Sequence, residues 1–246
     1  MSRATLKEEG KSDGKGFCES FPKPKEIYDL SFWNTSDEMV KKAHDIWSAT
    51  YEQDMKTSKY QSPDSLVPEL QKAIENTLPT LDKDAVQLLD IGAGSGLIGE
   101  KLRARGFTNL VAIDLSPKML ALAEKKNIYK SMVCDSLYNW RKYFAMGQFD
   151  AAVSCSVFTP GQLKPEAFDE IISLIKPGGI MAHSMREDAY ITPEYGYKKK
   201  LKEMEEAGKI KLLKKEKIIR YAYDRANEYT VPIAYILVHQ IVKHNK

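Results

Sequence analysis

The residues best suited to chemistry form a glycine-rich segment that follows a short apolar run. Their spacing is Asp90-x-Gly92-x-Gly94-x-Gly96, with Ala93 inside the segment. Glycine adopts positive φ without steric cost and has no Cβ, so such a turn lets main-chain N–H groups approach a ligand at the start of the next helix. A carboxylate at this point suits a ligand that carries an amino or sulfonium cation. An ordinary tight turn between a strand and a helix is the alternative.

The same glycines also fit a second frame, because residues 94–99 satisfy the G-x-G-x-x-G pattern of nicotinamide- and flavin-binding sites. In that frame the turn would hold a pyrophosphate, whose negative charge is disfavoured by the carboxylate of Asp90. We therefore favour the frame that begins at Asp90. An NAD(P)-dependent oxidoreductase stays as the alternative from another enzyme class.

Two further acids stand at the ends of predicted buried strands. Asp114 ends the run 109–114, and one carboxylate there can accept hydrogen bonds from both hydroxyls of a ribose. An acid roughly 20 residues after a glycine loop is expected in ribose-binding α/β sheets. Asp135, followed by Ser136, ends the third predicted strand. Each acid could instead cap the turn or helix that follows it.

Together, these segments resemble the motifs of class I S-adenosylmethionine-dependent methyltransferases. In that class the acid equivalent to Asp90 orients the loop and faces the methionine end of the cofactor, and the acid equivalent to Asp135 binds the adenine amino group. Residues 114–120 resemble the second cofactor segment, whose apolar side chains, here Leu115 and Met119, pack on the adenine. The resemblance implies S-adenosyl-L-methionine (SAM) as cofactor and S-adenosyl-L-homocysteine (SAH) as product.

Residues 44–63 narrow the resemblance to the methyltransferase-like family named for the Williams–Beuren syndrome chromosome region. In such small-molecule-type methyltransferases this segment lies over the cofactor, which implies cofactor contacts for Tyr51 and Tyr60. His44 stands where the family usually has Tyr. Packing on a helix face is the alternative role for Tyr51.

The elements that must position these residues follow from the apolar patterning. Short apolar runs that alternate with helical patterns predict buried parallel strands, at residues 86–91, 109–114, 129–134 and 149–156. A Lys-Pro-Gly-Gly signature at 176–179 precedes a fifth strand, and the runs 209–223 and 231–242 predict a terminal antiparallel pair. The predicted fold class is α/β: a Rossmann-like class I methyltransferase fold with a seven-stranded, mostly parallel sheet, a C-terminal antiparallel hairpin and N-terminal lid helices.

Methyl transfer needs little covalent help from protein, because the leaving group is neutral and the methyl group is already electrophilic. Positioning can supply most of the rate, so we name no catalytic residue. A general base would be needed only for a protonated amine or a hydroxyl acceptor; the candidates, each of which could be structural, are His44, His183, Tyr190 and Tyr223. Small residues near the end of the fourth strand, among them Cys155, leave room for a ligand, and residues 157–162 are expected to face the acceptor.

The chain divides into three predicted parts: a disordered tail at 1–25, an N-terminal helical lid at 26–80 and a methyltransferase core at 81–246. The tail is rich in Lys, Glu, Gly and Ser and has few apolar anchors. In the lid, apolar spacing predicts one helix from Ser36 to Tyr51 and a second that follows Ser65.

The composition limits the kinds of binding partner that can be expected. The net charge of +3 over 246 residues is nearly balanced, so no general attraction to nucleic acid or membranes follows. The three cysteines are unclustered, which predicts neither a metal site nor disulfides and favours a reducing compartment. No signal peptide or membrane span is expected.

We predict a cytoplasmic enzyme, with a nuclear location left open, that methylates a small molecule without a nucleic-acid or membrane partner. The oligomeric state is left open. A methyltransferase-fold protein that binds the cofactor or a partner protein without turnover is the non-enzymatic alternative.

Overall fold

The computed structural model describes residues 35–221 and 233–242, so the predicted tail at 1–25 lies outside the described residues. The strands are β1 (Leu88–Ile91), β2 (Leu110–Asp114), β3 (Ser131–Cys134), β4 (Phe149–Phe158), β5 (Ile175–Arg186), β6 (Ile210–Ile219) and β7 (Ile233–Ile241). The α-helices are α1 (Asp37–Trp47), α2 (Tyr51–Thr57), α3 (Ser62–Thr77), α4 (Leu97–Arg103), α5 (Pro117–Glu124), α6 (Ala167–Leu174), α7 (Glu187–Ile191) and α8 (Tyr197–Glu206). Short 3₁₀ helices span Leu137–Lys142 and Pro193–Tyr195.

All seven strands belong to one sheet, in the order β3-β2-β1-β4-β5-β7-β6. The pairs from β3 to β5 are parallel, whereas β7 runs antiparallel to both β5 and β6. The chain order reverses between β1 and β4, and ligands of open α/β sheets bind beyond the carboxyl ends of strands at such a point. The predicted fold class, including the terminal hairpin, is confirmed.

β1 shows how the sheet is buried on both faces. Leu88 packs in the hydrophobic core that includes residues of α3 and α4, whereas Leu89 and Ile91 pack in the core that includes residues of α6 and α8. This two-sided burial accounts for the nearly continuous apolar run that identified the strand. The buried strand holds the start of the glycine segment in place.

The N-terminal helices differ from the prediction. The predicted single helix from Ser36 to Tyr51 is two helices, because α1 ends at Trp47 and α2 begins at Tyr51. The hydroxyl of Ser48 donates to the carbonyl of Asp45 (2.8 Å) at this break, a local bond that competes with helical pairing. The N-cap role of Ser36 is confirmed, since its side chain accepts a first-turn N–H (3.3 Å).

The helix predicted to follow Ser65 begins earlier, at Ser62, and Pro63 lies in its first turn, a position that proline favours. The boundary between a lid and a core near residue 80 stays a prediction. Among the described residues, no helix has both the length and the apolar character needed to cross a membrane.

Candidate cofactor-binding site

The glycine segment forms a left-handed turn directly after β1. Gly92, Gly94 and Gly96 have φ of +66°, +54° and +88°, values that favour glycine. A Cβ built on Gly92 would lie 2.5 Å from Cγ2 of Val157, and one on Gly96 would lie 2.8 Å from Cδ1 of Ile128. A Cβ on Gly94 would meet nothing within 4 Å. The turn is therefore packed at its two ends and open at its centre.

The glycine N–H groups of this turn are paired within the protein, whereas contact of its other main-chain N–H groups with a ligand stays a prediction. The N–H groups of the three glycines all donate to oxygens of the protein: Gly92 to the Ile113 carbonyl (2.8 Å), Gly94 to Oδ2 of Asp114 (2.8 Å) and Gly96 to the Ala93 carbonyl (2.9 Å). These glycine N–H groups are therefore not offered to a ligand. The glycines provide the positive φ and the close packing, and Asp114 holds the turn from the neighbouring strand.

Asp114 lies at the carboxyl end of β2, as predicted. Its Oδ2 accepts the N–H of Gly94 and its Oδ1 accepts the N–H of Ser116, both at 2.8 Å. A carboxylate has about four lone-pair sites, so capacity is left for two ribose hydroxyls. Burial raises the pKa of Asp114, while the N–H of Ser116, the nearby His44 and the N–H of Gly94 oppose the shift.

Asp90 is a buried acid, with 1% of its surface exposed. Its Oδ2 accepts the hydroxyl of Tyr129 at 2.6 Å. Burial raises the pKa of Asp90 to about 7; the Tyr129 hydrogen bond opposes this shift and the charge of Asp114 adds to it. No cationic side chain of the described residues lies within ion-pair distance of Asp90. The site therefore contains a carboxyl group whose ionised form lacks a counter-cation.

Tyr129 is the residue near the glycine segment that the sequence reasoning missed. Its hydroxyl would lie 2.5 Å from a Cβ on residue 99, so Gly99 is needed for this tyrosine to reach Asp90. This contact explains the third glycine of the G-x-G-x-x-G frame without a dinucleotide. The spacing of Gly99 indicated a close contact, but no local feature of the sequence identifies Tyr129 as the residue in contact with it.

The N-terminal helices are joined to the second predicted cofactor segment. Oδ1 of Asp45 accepts the hydroxyl of Ser116 (2.6 Å), and Glu52 pairs with Lys126 (2.5 Å). The predicted adenine-packing residues already contact these helices: Met119 packs in a cluster that contains Trp47, Met55, Tyr51 and Tyr60, and Leu115 packs against Val40 and Ala43. Their contact with a cofactor stays a prediction.

Asp135 stabilises the start of the 3₁₀ helix after β3. This is the capping role given above as the alternative to cofactor binding. Its Oδ1 accepts the N–H of Ser136 and the side-chain amide of Asn139, and its Oδ2 accepts the hydroxyl of Tyr143, all at 2.7 Å. These three bonds, led by that from Asn139, lower the pKa of Asp135 to about 2. Nζ of Lys142 also lies 3.5 Å from Oδ2, so an adenine amino group would take the place of this ion pair. The adenine contact of Asp135 stays a prediction.

Tyr60 and Cys155 meet at the carboxyl end of β4. The Tyr60 hydroxyl lies 3.2 Å from Sγ of Cys155 and 2.7 Å from Oγ of Ser156. The backbone of Tyr60 bridges to Tyr221, and the N–H of Gln61 donates to the carbonyl of Arg220 (2.7 Å). The segment after α2 therefore attaches to the end of β6, and the aromatic ring of Tyr60 lies next to the fourth strand.

Among the general-base candidates, His183 takes the structural role. It is fully buried, its ring stacks on His239 at 5.6 Å, and neither ring nitrogen has a hydrogen-bond partner among the described residues. Burial, and secondarily His239, lowers the pKa of His183 well below its usual value. The Tyr190 hydroxyl accepts Nζ of Lys215 (3.2 Å), and Nδ1 of His44 lies 2.8 Å from the Val40 carbonyl. Tyr223 lies outside the described residues.

Comparison with known proteins agrees with this geometry. Residues 89–183 match the family model described as "Methyltransferase domain". The matched range runs from β1 to β5 and contains the glycine segment and all three strand-end acids. Residues 89–183 form a methyltransferase domain. The match agrees with the S-adenosylmethionine-dependent class to which the motifs pointed.

Relatives of this methyltransferase domain include two named proteins. The chain is 31% identical to human Methyltransferase-like protein 27 over 154 residues, which cover 62% of the chain and 60% of that protein. It is also 31% identical to the 18S rRNA (guanine(1575)-N(7))-methyltransferase of Saccharomyces cerevisiae over 103 residues, 37% of each. The chain therefore spans less than two thirds of the length of the curated relatives it matches.

A solved structure shows the same fold. Magnesium protoporphyrin IX methyltransferase from Synechocystis PCC 6803, solved with bound SAM, superposes with a TM-score of 0.54. The alignment covers 77% of this chain and 82% of that protein, at 15% identity. At this identity the likeness concerns the fold of the methyltransferase domain alone.

The bond from Tyr129 to Asp90 leads to a prediction for cofactor affinity. Tyr129→Phe removes the donor that opposes the upward pKa shift of Asp90, so less of the carboxylate is ionised at neutral pH. We expect SAH affinity to fall several-fold at neutral pH and to recover at alkaline pH. Calorimetric titrations across that range measure the effect. Tyr138→Phe, at an exposed tyrosine, is the matched control, and a loss that persists unchanged at alkaline pH would contradict this explanation.

Proposed function

We propose that this protein binds SAM beyond the carboxyl ends of β1 and β2 and transfers its methyl group to a small-molecule acceptor. The observation that supports this proposal most directly is Asp90, a buried acid beside the glycine turn without a counter-cation among the described residues. Bound SAM supplies an electrophilic methyl group on a sulfonium ion. The positive charge of the cofactor stabilises the ionised form of Asp90, which burial alone disfavours.

The residues of the site fit this cofactor. The open space at Gly94 admits a ligand that a side chain would exclude. The free acceptor capacity of Asp114 suits the two hydroxyls of a ribose. An adenine amino group would bind Asp135 in place of its ion pair with Lys142. The protein's contribution is positioning, which is worth roughly 7–11 kcal/mol for a well-aligned pair of reactants.

The surface charges favour a small acceptor over RNA. Lysines of the C-terminal hairpin form ion pairs with nearby carboxylates: Lys214 with Glu216 (3.1 Å) and Lys217 with Glu187 (2.8 Å). RNA binding depends on basic side chains that are free to neutralise phosphates. Because the yeast relative is named for an rRNA substrate, an acceptor screen should include RNA as well as metabolites.

Calorimetric titration with SAH tests the cofactor assignment. We expect SAH to bind the wild-type protein and NADH not to bind. Asp114→Asn should weaken SAH binding about tenfold to a hundredfold, because each lost hydrogen bond to a charged group is worth about 1.5–3 kcal/mol. Asp64→Asn removes an exposed ion pair with Lys101 and should leave the affinity unchanged. Binding of NADH instead of SAH, or equal affinities of wild type and Asp114→Asn, would overturn the assignment.

A further inference from the structure

The guanidinium of Arg220 is a buried positive charge without an ion-pair partner in the described part of the chain. Only 9% of the residue is exposed. Its Nη2 donates to Oγ of Ser156 and to the hydroxyl of Tyr221, both at 3.3 Å. Its Nε is buried and has no hydrogen-bond partner among the described residues. None of the ion pairs among these residues includes Arg220.

Such a group is costly to keep. A buried, unpaired charge destabilises a protein even after the surroundings relax. Arginine stays protonated, so it cannot escape this cost by losing its proton. Its planar fork of N–H donors matches the two oxygens of a carboxylate. An anion brought by a ligand would satisfy both the charge and the free Nε.

The position of Arg220 places it at the acceptor side of the proposed cofactor site. Ser156, which it contacts, follows Cys155 at the end of β4 and has a φ of +60°. The next residue, Val157, packs against the glycine turn at Gly92. The hydroxyl of Tyr60 binds the same Ser156 oxygen (2.7 Å). Arg220 is thus connected to the glycine turn through a single short stretch of β4.

Tyr51 connects the two regions. It packs in the same cluster as Tyr60 and Met119. Burial raises its pKa, and the groups whose charges act on its hydroxyl include both Arg220 and Asp114. The Arg220 guanidinium and the proposed cofactor residue Asp114 therefore both act on one side chain.

We propose that Arg220 binds a carboxylate of the methyl acceptor, with Tyr60 and Ser156 contributing hydroxyl groups to the same subsite. The acceptor is then a small carboxylic acid. This inference rests on the proposed methyltransferase function. A single guanidinium, with the carboxylate of Asp188 also acting on it, suits one negative charge better than the two of a phosphate monoester. Carboxylate is therefore the favoured class.

Nuclear magnetic resonance of the Arg220 Nε–H group tests this site directly. The probes are acetate, methyl phosphate and acetamide, each titrated into ¹⁵N-labelled protein saturated with SAH, and the Arg220 resonance is assigned by its absence in Arg220→Lys and Arg220→Gln. We expect acetate to shift this resonance saturably, and more strongly than methyl phosphate does. Acetamide should leave it unchanged. No shift with acetate, an equal shift with acetamide, or a preference for methyl phosphate would overturn the carboxylate assignment.

A second measurement separates the acceptor from the cofactor, which has a carboxylate of its own. SAH affinity in Arg220→Gln should stay within about twofold of wild type, as in the surface control Arg141→Gln. A tenfold loss of SAH affinity in Arg220→Gln alone would assign Arg220 to the cofactor and overturn the proposal. If wild-type protein fails to bind SAH, the proposed function fails, whereas the acetate titration on the free protein still tests the anion subsite. That titration follows wild-type protein, and the two variants Arg220→Lys and Arg220→Gln serve only to assign the resonance.

Discussion

Replacing Asp90 with asparagine is expected to stabilise the free protein and, in the same variant, to remove most of its affinity for SAM. The pKa of this buried carboxyl is about 7 in the folded protein, against about 3.9 in an unfolded chain. Between these values the folded state binds a proton that the unfolded state has released. The free energy of unfolding therefore falls as pH rises from about 4 to about 7, and above that range the buried charge costs on the order of 4 kcal/mol.

Asparagine avoids this cost because it is neutral and can still accept the hydroxyl of Tyr129. We therefore expect Asp90→Asn to melt at a higher temperature than wild type above neutral pH and to match it more closely at acidic pH. Cofactor affinity should fall by roughly 2–5 kcal/mol, the usual effect of removing one partner of a buried charge pair. Wild type should release protons when SAM binds near neutral pH, because the positive cofactor favours the ionised form of Asp90. Calorimetry in buffers of different ionisation enthalpy measures this release.

Asp150→Asn is a matched control with the opposite expectation. Asp150 is also buried, but its Oδ1 pairs with Lys176 (2.7 Å) and its Oδ2 accepts the N–H of Gln87 (2.9 Å), near the start of β4. This variant should lose stability and keep its affinity for SAM. If Asp90→Asn instead melts below wild type above neutral pH, or binds SAM as tightly, the role assigned to Asp90 is wrong.

Substitution of Gly92 and of Gly94 by alanine should separate stability from binding. At Gly92 the new Cβ would lie 2.5 Å from Cγ2 of Val157 at a φ of +66°. The left-handed conformation costs roughly 1–2 kcal/mol, and overpacking a well-packed position costs roughly 1–3 kcal/mol more. Gly92→Ala should therefore lose about 2–5 kcal/mol of unfolding free energy, measured by denaturant titration.

Gly94→Ala has the same backbone strain without the clash, because nothing lies within 4 Å of its Cβ. Its stability loss should be limited to roughly 1–2 kcal/mol, while its Cβ occupies the open space proposed for the cofactor and removes SAH binding. Gly92→Ala combined with Val157→Ala should recover part of the stability that Gly92→Ala loses. Equal stability losses in the two single variants, or normal SAH binding by Gly94→Ala, would contradict this division of roles.

The strands and their terminal acids could be predicted from sequence because each is signalled locally. The apolar run that predicts β1 contains Asp90, and the apolar run that predicts β2 ends at Asp114. Both strands and both acids occur where they were expected. The break between α1 and α2 was missed, because the helical apolar spacing continues to Tyr51 although residues 48–50 form a turn.

The partners across the fold could not be predicted, because periodicity carries no information about distant contacts. Tyr129 and Asp90 are 39 positions apart in the chain, and Arg220 and Ser156 are 64 apart. The same limit applies to the partners of the glycine N–H groups. The carbonyl that accepts the N–H of Gly92 belongs to Ile113 in another strand.

The stretch from α1 to Gln61 is attached to the cofactor segment through Asp45 and Ser116 and to the end of β6 through Gln61 and Arg220. A ligand that orders this stretch at either attachment reduces the entropy that the other ligand must lose on binding. The affinities for cofactor and acceptor are then thermodynamically coupled. Such coupling is reciprocal, so the factor by which SAM tightens acceptor binding equals the factor by which the acceptor tightens SAM binding.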